Sequence, residues 1–295
     1  MNEFVDVEKR RWPKVALVVG IAGIVGRSLA NLNLKPHSPR DPWKVYGVAR
    51  MARPKWFVNT QIDYVQCDVL DKTDAHTMIS PLKDVTHLFS VIWVHCGSEE
   101  INCLPNTQLA AHVLQTGAKH YLVQVARQPF PNFYYTLEDL LFLIVKRKDV
   151  NLTWFIHRPN VIFGFCPCNL INILRSLVVY ACICKQEGLP SLFLGDSTYL
   201  EQFGDVSNPD LVVEQELWAA LNSNVKNQVF NIFDGDVFNY KRVWSHLAEQ
   251  FDIDVLDYSG QLASLSKAMK AKGAVWDAII QKHGLVPTKF GKIVN

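Results

Sequence analysis

No stretch of this sequence is apolar for long enough to cross a bilayer. The most apolar runs, 15–19 and 177–184, fall far short of the roughly 20 residues that a spanning helix needs. The first 14 residues, with Glu3, Asp6, Glu8, Lys9, Arg10 and Arg11, lack the apolar core of a secretory leader. Neither sign of charge predominates: 30 basic against 28 acidic side chains leave +2, so there is no basic excess to hold nucleic acid and no membrane partner is expected. Seven cysteines form an odd set without zinc-like spacing, which excludes a disulfide-stapled miniprotein. The pairs Cys166/Cys168 and Cys182/Cys184 have no histidine nearby to complete a ligand set, and no metal is expected. Reduced thiols and the missing leader point to a cytoplasmic protein. There is no internal repeat. With 49% hydrophobic and 20% charged residues in 295, disorder is excluded as well.

What is present is an alternation. Short Val/Ile-rich runs at 15–19, 43–48, 62–66, 87–94, 121–125 and 152–157 are separated by longer segments, of which 24–32 reads as a helix. Near-continuous apolar strands between helices predict a parallel sheet covered on both faces. The expected fold is therefore α/β, a Rossmann-like doubly wound parallel sheet with a smaller, interleaved C-terminal substrate lobe. Residues 13–165 form the dinucleotide-binding domain and 166–295 mainly the lobe, with a strand near 228–233 returning to the sheet. Helices are expected at 170–185, 211–221 and 240–251.

The strongest motif is Gly20-Ile21-Ala22-Gly23-Ile24-Val25-Gly26, directly after the first strand. Glycines between a strand and a helix let backbone amides, here those opening at Ile24 and Val25, approach a pyrophosphate at the positive end of the helix. The spacing G-x-x-G-x-x-G is that of the extended short-chain dehydrogenase/reductases. A second strand that ends in Asp or Glu would select NAD; this one runs into Arg50, with Arg53 close behind, and a guanidinium matches a 2′-phosphate in charge and fork geometry. NADPH is the expected cofactor. Asp68 and Val69 close the third strand, where an Asp can meet an adenine amino group.

Short-chain reductases pair a Tyr with a Lys four residues later, and no tyrosine here has that partner: Tyr134 is followed at that spacing by Glu138 and Tyr135 by Asp139. The segment 131–141, PNFYYTLEDLL, instead resembles the signature of the progesterone 5β-reductase/iridoid synthase family, plant reductases of activated C=C bonds. The blocks VALVVGIAGIVGRS (15–28), WKVYGVAR (43–50), LQTGAKHY (114–121), HRPNVIFGF (157–165), VFNIFDGDVF (229–238) and LVPTK (285–289) agree in the family's order. The resemblance implies that Lys119 and Tyr134 are the catalytic pair and that the reaction is 1,4-reduction of an enone or enal, with NADPH as hydride donor. It also places Val161 on the cofactor, and Trp93 and Phe165 in the substrate pocket. The implied partner is a small-molecule enone, and a homodimer is compatible with it. His157 is expected to be structural, bonded to backbone near the cofactor.

Several features depart from the family. The links 94–113 and 122–130 are shorter, which predicts loss of a sheet-covering helix and exposed apolar surface. Met51 stands where the family has a second Arg, and Ser90 where it has a pocket Tyr. The chain closes soon after LVPTK, so the lobe is expected to be incomplete at its C-terminus. The alternative is a shortened, non-catalytic relative that retains a dinucleotide site.

Overall fold

The computed structural model describes residues 14–32, 43–58, 61–95, 98–114, 120–123, 132–147, 151–167, 172–256, 258 and 264–292. In chain order the described elements are β1 (Lys14–Val19), α1 (Ile24–Leu32), β2 (Trp43–Ala49), β3 (Ile62–Gln66), α2 (Lys72–Ile79), β4 (His87–Ser90), α3 (Glu99–Leu114), β5 (His120–Val123), α4 (Phe133–Val145) and β6 (Thr153–Pro159). Then come α5 (Ile173–Glu187), β7 (Ser191–Leu192), α6 (Ser197–Glu201), β8 (Phe203–Gly204), α7 (Pro209–Leu221) and β9 (Gln228–Ile232). The last are β10 (Phe238–Asn239), α8 (Tyr240–Phe251), β11 (Val255–Leu256), α9 (Leu265–Ala268) and α10 (Gly273–His283). Among the described residues no helix is long and apolar enough to cross a membrane.

Two compact units result. The first comprises 1–159 and 209–232, the second 160–208 and 233–295. The first holds a seven-stranded sheet in the order β3-β2-β1-β4-β5-β6-β9, with every neighbouring pair parallel. The α/β class with a doubly wound parallel sheet thus follows from the strands read in the sequence. β1 is apolar at Val15 to Val19 because parallel strands are covered on both faces, and all five side chains are buried. Val15, Leu17 and Val19 join a core with Ala75 and Ile79 of α2, Leu109 and Val113 of α3, Leu137 and Leu141 of α4, and Ile156. Ala16 and Val18 alternate to the other face, where α1 packs against α7.

Three differences from the sequence reading bear on the fold. The strand expected over 87–94 ends at Ser90, because Asn106 of α3 takes both the Val94 N–H (2.8 Å) and its carbonyl (2.9 Å) in place of a ladder. The helix expected from 170 opens at Ile173, since Asn172 accepts from the Arg175 N–H as an N-cap. Thirdly, the shortened link before Leu114 keeps its covering helix: α3 persists through Pro105 and contributes Leu109, Ala110 and Val113 to the core. Only its first turns carry exposed apolar side chains, Ile101 at 60% and Leu104 at 67%.

The second unit has its own core of Leu177, Tyr180, Phe193, Trp244, Trp276 and Ile279. The Tyr180 hydroxyl receives the Leu192 N–H (3.0 Å), and the Trp244 indole donates to the Leu192 carbonyl (3.1 Å), which fixes β7 against α5 and α8. A cavity of about 820 Å3 opens in this unit beside Lys185, Pro190, Glu249 and Asp254; among the described residues none of the sequence-predicted site residues lines it.

Candidate active site

β1 delivers the chain into Gly20, which has φ +100°, a conformation that favours glycine. A Cβ there would sit 2.9 Å from the Val91 carbonyl oxygen. The amides of Gly20 and Ile21 both donate to the Val48 carbonyl, at 2.9 and 3.2 Å, which sews the turn to the end of β2. Gly26 lies against the turn itself: a Cβ would come within 2.7 Å of Ile21 Cα and run into the Gly20 carbonyl. At Gly23 a Cβ would meet only Gly20 O, at 3.1 Å, so the outer edge of the turn is open. The amides of Ile24 and Val25 open α1 beside that edge, among the first-turn N–H groups that no helix can satisfy internally. An open glycine edge against the positive end of a helix fits a dinucleotide pyrophosphate.

The chain beyond β2 is basic and aromatic. Residues 43–58 contain Lys44, Arg50, Arg53 and Lys55 and no acidic side chain. Arg50 is exposed, and its carbonyl accepts from Gln66 Nε2 at 3.4 Å. Arg53 donates through Nε to the Phe57 carbonyl (3.3 Å), and its guanidinium lies 5.5 Å from the Phe57 ring and 6.0 Å from that of Tyr64. Arg27, in the first turns of α1, lies 5.5 Å from the Trp56 ring. At the end of β3, Asp68 turns one carboxylate oxygen to the Leu70 N–H (3.1 Å), while its own N–H goes to Asp74 (2.7 Å). Val69 is buried, and its carbonyl pairs with His112 Nδ1 at 2.8 Å, which ties α3 to this strand end.

Tyr134 sits half-buried in the first turn of α4, its N–H donated to the N-cap oxygen of Asn132 (2.9 Å) and its ring packed on the core of the first unit. One turn later Glu138, 2% exposed, accepts from Arg158 Nη2 of β6 at 2.8 Å. An ion pair thus spans α4 and β6, with Glu138 one helical turn beyond Tyr134. Sequence reasoning missed the pair, although Glu138 on the face of Tyr134 and Arg158 at a strand end were its signal. Lys119 lies outside the described residues. Trp93, past the end of β4, meets His95 edge-on at 5.6 Å. Because the strands are parallel, the glycine turn, Arg50 and Arg53, Asp68 and Val69, and Trp93 all lie along one edge of the sheet, at its strand carboxyl ends, the edge where open α/β sheets bind ligands. Val161 and Phe165 belong to the second unit; the Val161 carbonyl accepts from the Ser207 N–H (3.0 Å), and Phe165 is 68% exposed.

His157 corrects the sequence expectation. Neither ring nitrogen has a hydrogen-bond partner; the imidazole stacks on Phe230 at 5.4 Å, and burial holds its pKa down to about 4.

No family model matches the chain. Solved structures give the fold. UDP-glucose 4-epimerase from Thermus thermophilus, in complex with NAD, superimposes with a TM-score of 0.60 at 15% identity over 95% of this chain and 97% of that one. The epimerase Mth375 of Methanothermobacter thermautotrophicus does so at 0.66 and 16%, over 87% and 85%. Curated sequences are far closer. (S)-8-oxocitronellyl enol synthase of Nepeta cataria is 41% identical over 322 residues, 98% of this chain and 83% of the enzyme. The enzyme of the same name from Catharanthus roseus is 42% identical over 96% of this chain and 80% of its own length. The 3-oxo-Δ4,5-steroid 5β-reductase of Arabidopsis thaliana is 41% identical over 98% of this chain and 82% of its own length. At 41–42% identity over 96–98% of its length, the chain belongs to the progesterone 5β-reductase/iridoid synthase family.

Proposed function

We propose that this protein is an NADPH-dependent reductase of activated C=C bonds that carries out 1,4-reduction of enones or enals such as 3-oxo-Δ4-steroids or monoterpenoid enals. The observation that carries this is the placement of Tyr134: a half-buried residue in the first turn of a capped helix, within the block that resembles the family's signature. When bound, the nicotinamide supplies hydride from C4 to the β-carbon of the substrate. Tyr134 donates a hydrogen bond to the carbonyl oxygen as enolate charge develops there. The first turn of α4 suits that role, since the positive end of the helix favours negative charge. Glu138 and Arg158 lock the same helix to β6, which holds the hydroxyl in place. Lys119, from the shared T-G-x-K-H-Y block, holds the nicotinamide ribose and Tyr134 in register. Ile24 and Val25 bind the pyrophosphate, Arg50 and Arg53 the 2′-phosphate, and Asp68 the adenine.

The test is NADPH oxidation with a panel of small and steroidal enones. Turnover is expected in the wild type, with a loss of roughly 10²- to 10³-fold in Tyr134→Phe, the usual consequence of removing one oxyanion donor. A rate unchanged by that substitution rejects the role of Tyr134.

A second reading is a non-catalytic relative that retains a dinucleotide site. It is favoured by the span of the match: 322 residues of alignment exceed this chain's 295, so the relatives carry internal residues that it lacks. Thermal shift decides between them, since a ligand that binds only the folded state raises Tm. Stabilisation by NADPH without turnover of any enone in the panel supports the second reading.

A further inference from the structure

We infer that Arg27 is a cofactor-specificity residue, the third guanidinium of a 2′-phosphate cradle built on the aromatic ledge Trp56–Phe57–Tyr64. This rests on the dinucleotide reading above and goes beyond it in assigning a residue that neither the glycine motif nor the strand-end arginines identify.

The ledge is continuous. Trp56 meets Phe57 with ring centroids 5.9 Å apart, and Phe57 meets Tyr64 at 5.5 Å, both edge-on. Arg27 lies against the first ring and Arg53 against the second and third, each guanidinium within 6.0 Å of a centroid. The loop carrying Trp56 and Phe57 is pinned at three backbone points: Gln66 on the Arg50 carbonyl, Tyr64 on that of Met51 and Arg53 on that of Phe57. Trp56 and Phe57 belong to the loop after β2, whereas Arg27 reaches them from α1, and the glycine turn between the two is bonded to β2 through the Val48 carbonyl. Thus the helix that offers its amides to a pyrophosphate also brings a guanidinium to the loop that follows the ribose-selecting strand end. Stacking on a ring orients a guanidinium through its face, whereas an oxyanion is met at its N–H edge, so the two contacts are compatible. The same loop has no Asp or Glu to bond a ribose 2′-hydroxyl or repel a phosphate. Arg27 therefore supplies from α1 a fork that Met51 cannot supply from the strand end.

The test is nucleotide binding by the full chain, titrated by tryptophan fluorescence with NADPH, NADH and 2′,5′-ADP. Wild type is expected to prefer NADPH to NADH. In Arg27→Ala the NADPH and 2′,5′-ADP affinities fall roughly ten- to hundredfold, the worth of one charge-assisted hydrogen bond, while that for NADH stays within about twofold. Arg27→Lys keeps the charge without the fork and recovers part of the loss. NADH affinity serves as the internal control for folding, because it depends on the glycine turn and not on the cradle. Equal loss for both nucleotides in Arg27→Ala assigns Arg27 to packing on Trp56 and overturns the inference; so does an unchanged preference. Equal wild-type affinity for NADPH and NADH removes the cradle and leaves the dinucleotide site standing. Binding of neither nucleotide by wild type overturns the dinucleotide reading together with this one.

Discussion

Glu216 to Gln should make the protein more stable above neutral pH and flatten part of its pH dependence. Glu216 lies on the inner side of α7, 1% exposed, on a helix whose neighbouring Val212, Val213 and Ala219 are fully buried. Its Oε2 has no hydrogen-bond partner, and burial pushes the carboxyl from 4.5 up to about 8. The folded protein thus keeps a proton that the unfolded chain releases above 4.5, so stability falls as pH rises from there and levels off beyond about 8. At about 1.4 kcal/mol per pH unit, the cost is on the order of 3 kcal/mol at pH 7 and 4 at pH 8. His157 works in the opposite direction: its pKa falls from 6.5 to about 4, so stability falls as pH drops below 6.5. Between 4.5 and 6.5 the two slopes cancel, and above 6.5 only that of Glu216 remains. The measurement is urea unfolding of wild type and Glu216→Gln at pH 5, 6.5 and 8, followed by tryptophan fluorescence. The variant should gain about 2 kcal/mol on wild type between pH 6.5 and 8. At pH 5 it should lose most of its advantage, because the buried amide also costs about 1–3 kcal/mol. Two parallel stability curves across that range would refute the reasoning.

His157→Leu should remove the acid-side loss, raising stability relative to wild type by about 2 kcal/mol from pH 6.5 to pH 5 in the same unfolding series. Glu138→Ala strands the Arg158 guanidinium against α4 and should cost about 3 kcal/mol, most of it recovered in the double variant with Arg158→Met; equal stability of the two variants would show that the pair does not couple. Gly26→Ala drives a Cβ into the Gly20 carbonyl and should cost about 1–3 kcal/mol in chemical denaturation, with loss of any NADPH-induced thermal shift.

Strand positions and helix periods were legible because each rests on residues close in sequence. The bounds of α1 and α8 coincide with the helices read at 24–32 and 240–251, and β3 with the strand at 62–66. The glycine turn was legible for the same reason: its spacing states where a Cβ would collide. The pairing of Asn106 with Val94 was not, because it comes from another element and shows no period. Nor was the Glu138–Arg158 pair, whose members lie on α4 and β6, far apart along the chain.

By itself, then, the sequence determined the parallel sheet, the strand-to-helix glycine turn and the family, through local apolar patterns and contiguous motif blocks. Only tertiary structure decided what each polar side chain does. Glu214 and Glu216 stand two residues apart in V-V-E-Q-E-L, yet the first is exposed and the second buried. Arg27 reads as an ordinary helix residue until the loop after β2 brings Trp56 beneath it. The physical reason is the same in both: hydrophobic periodicity is set by the element a residue belongs to, whereas charge is tuned by the elements packed against it.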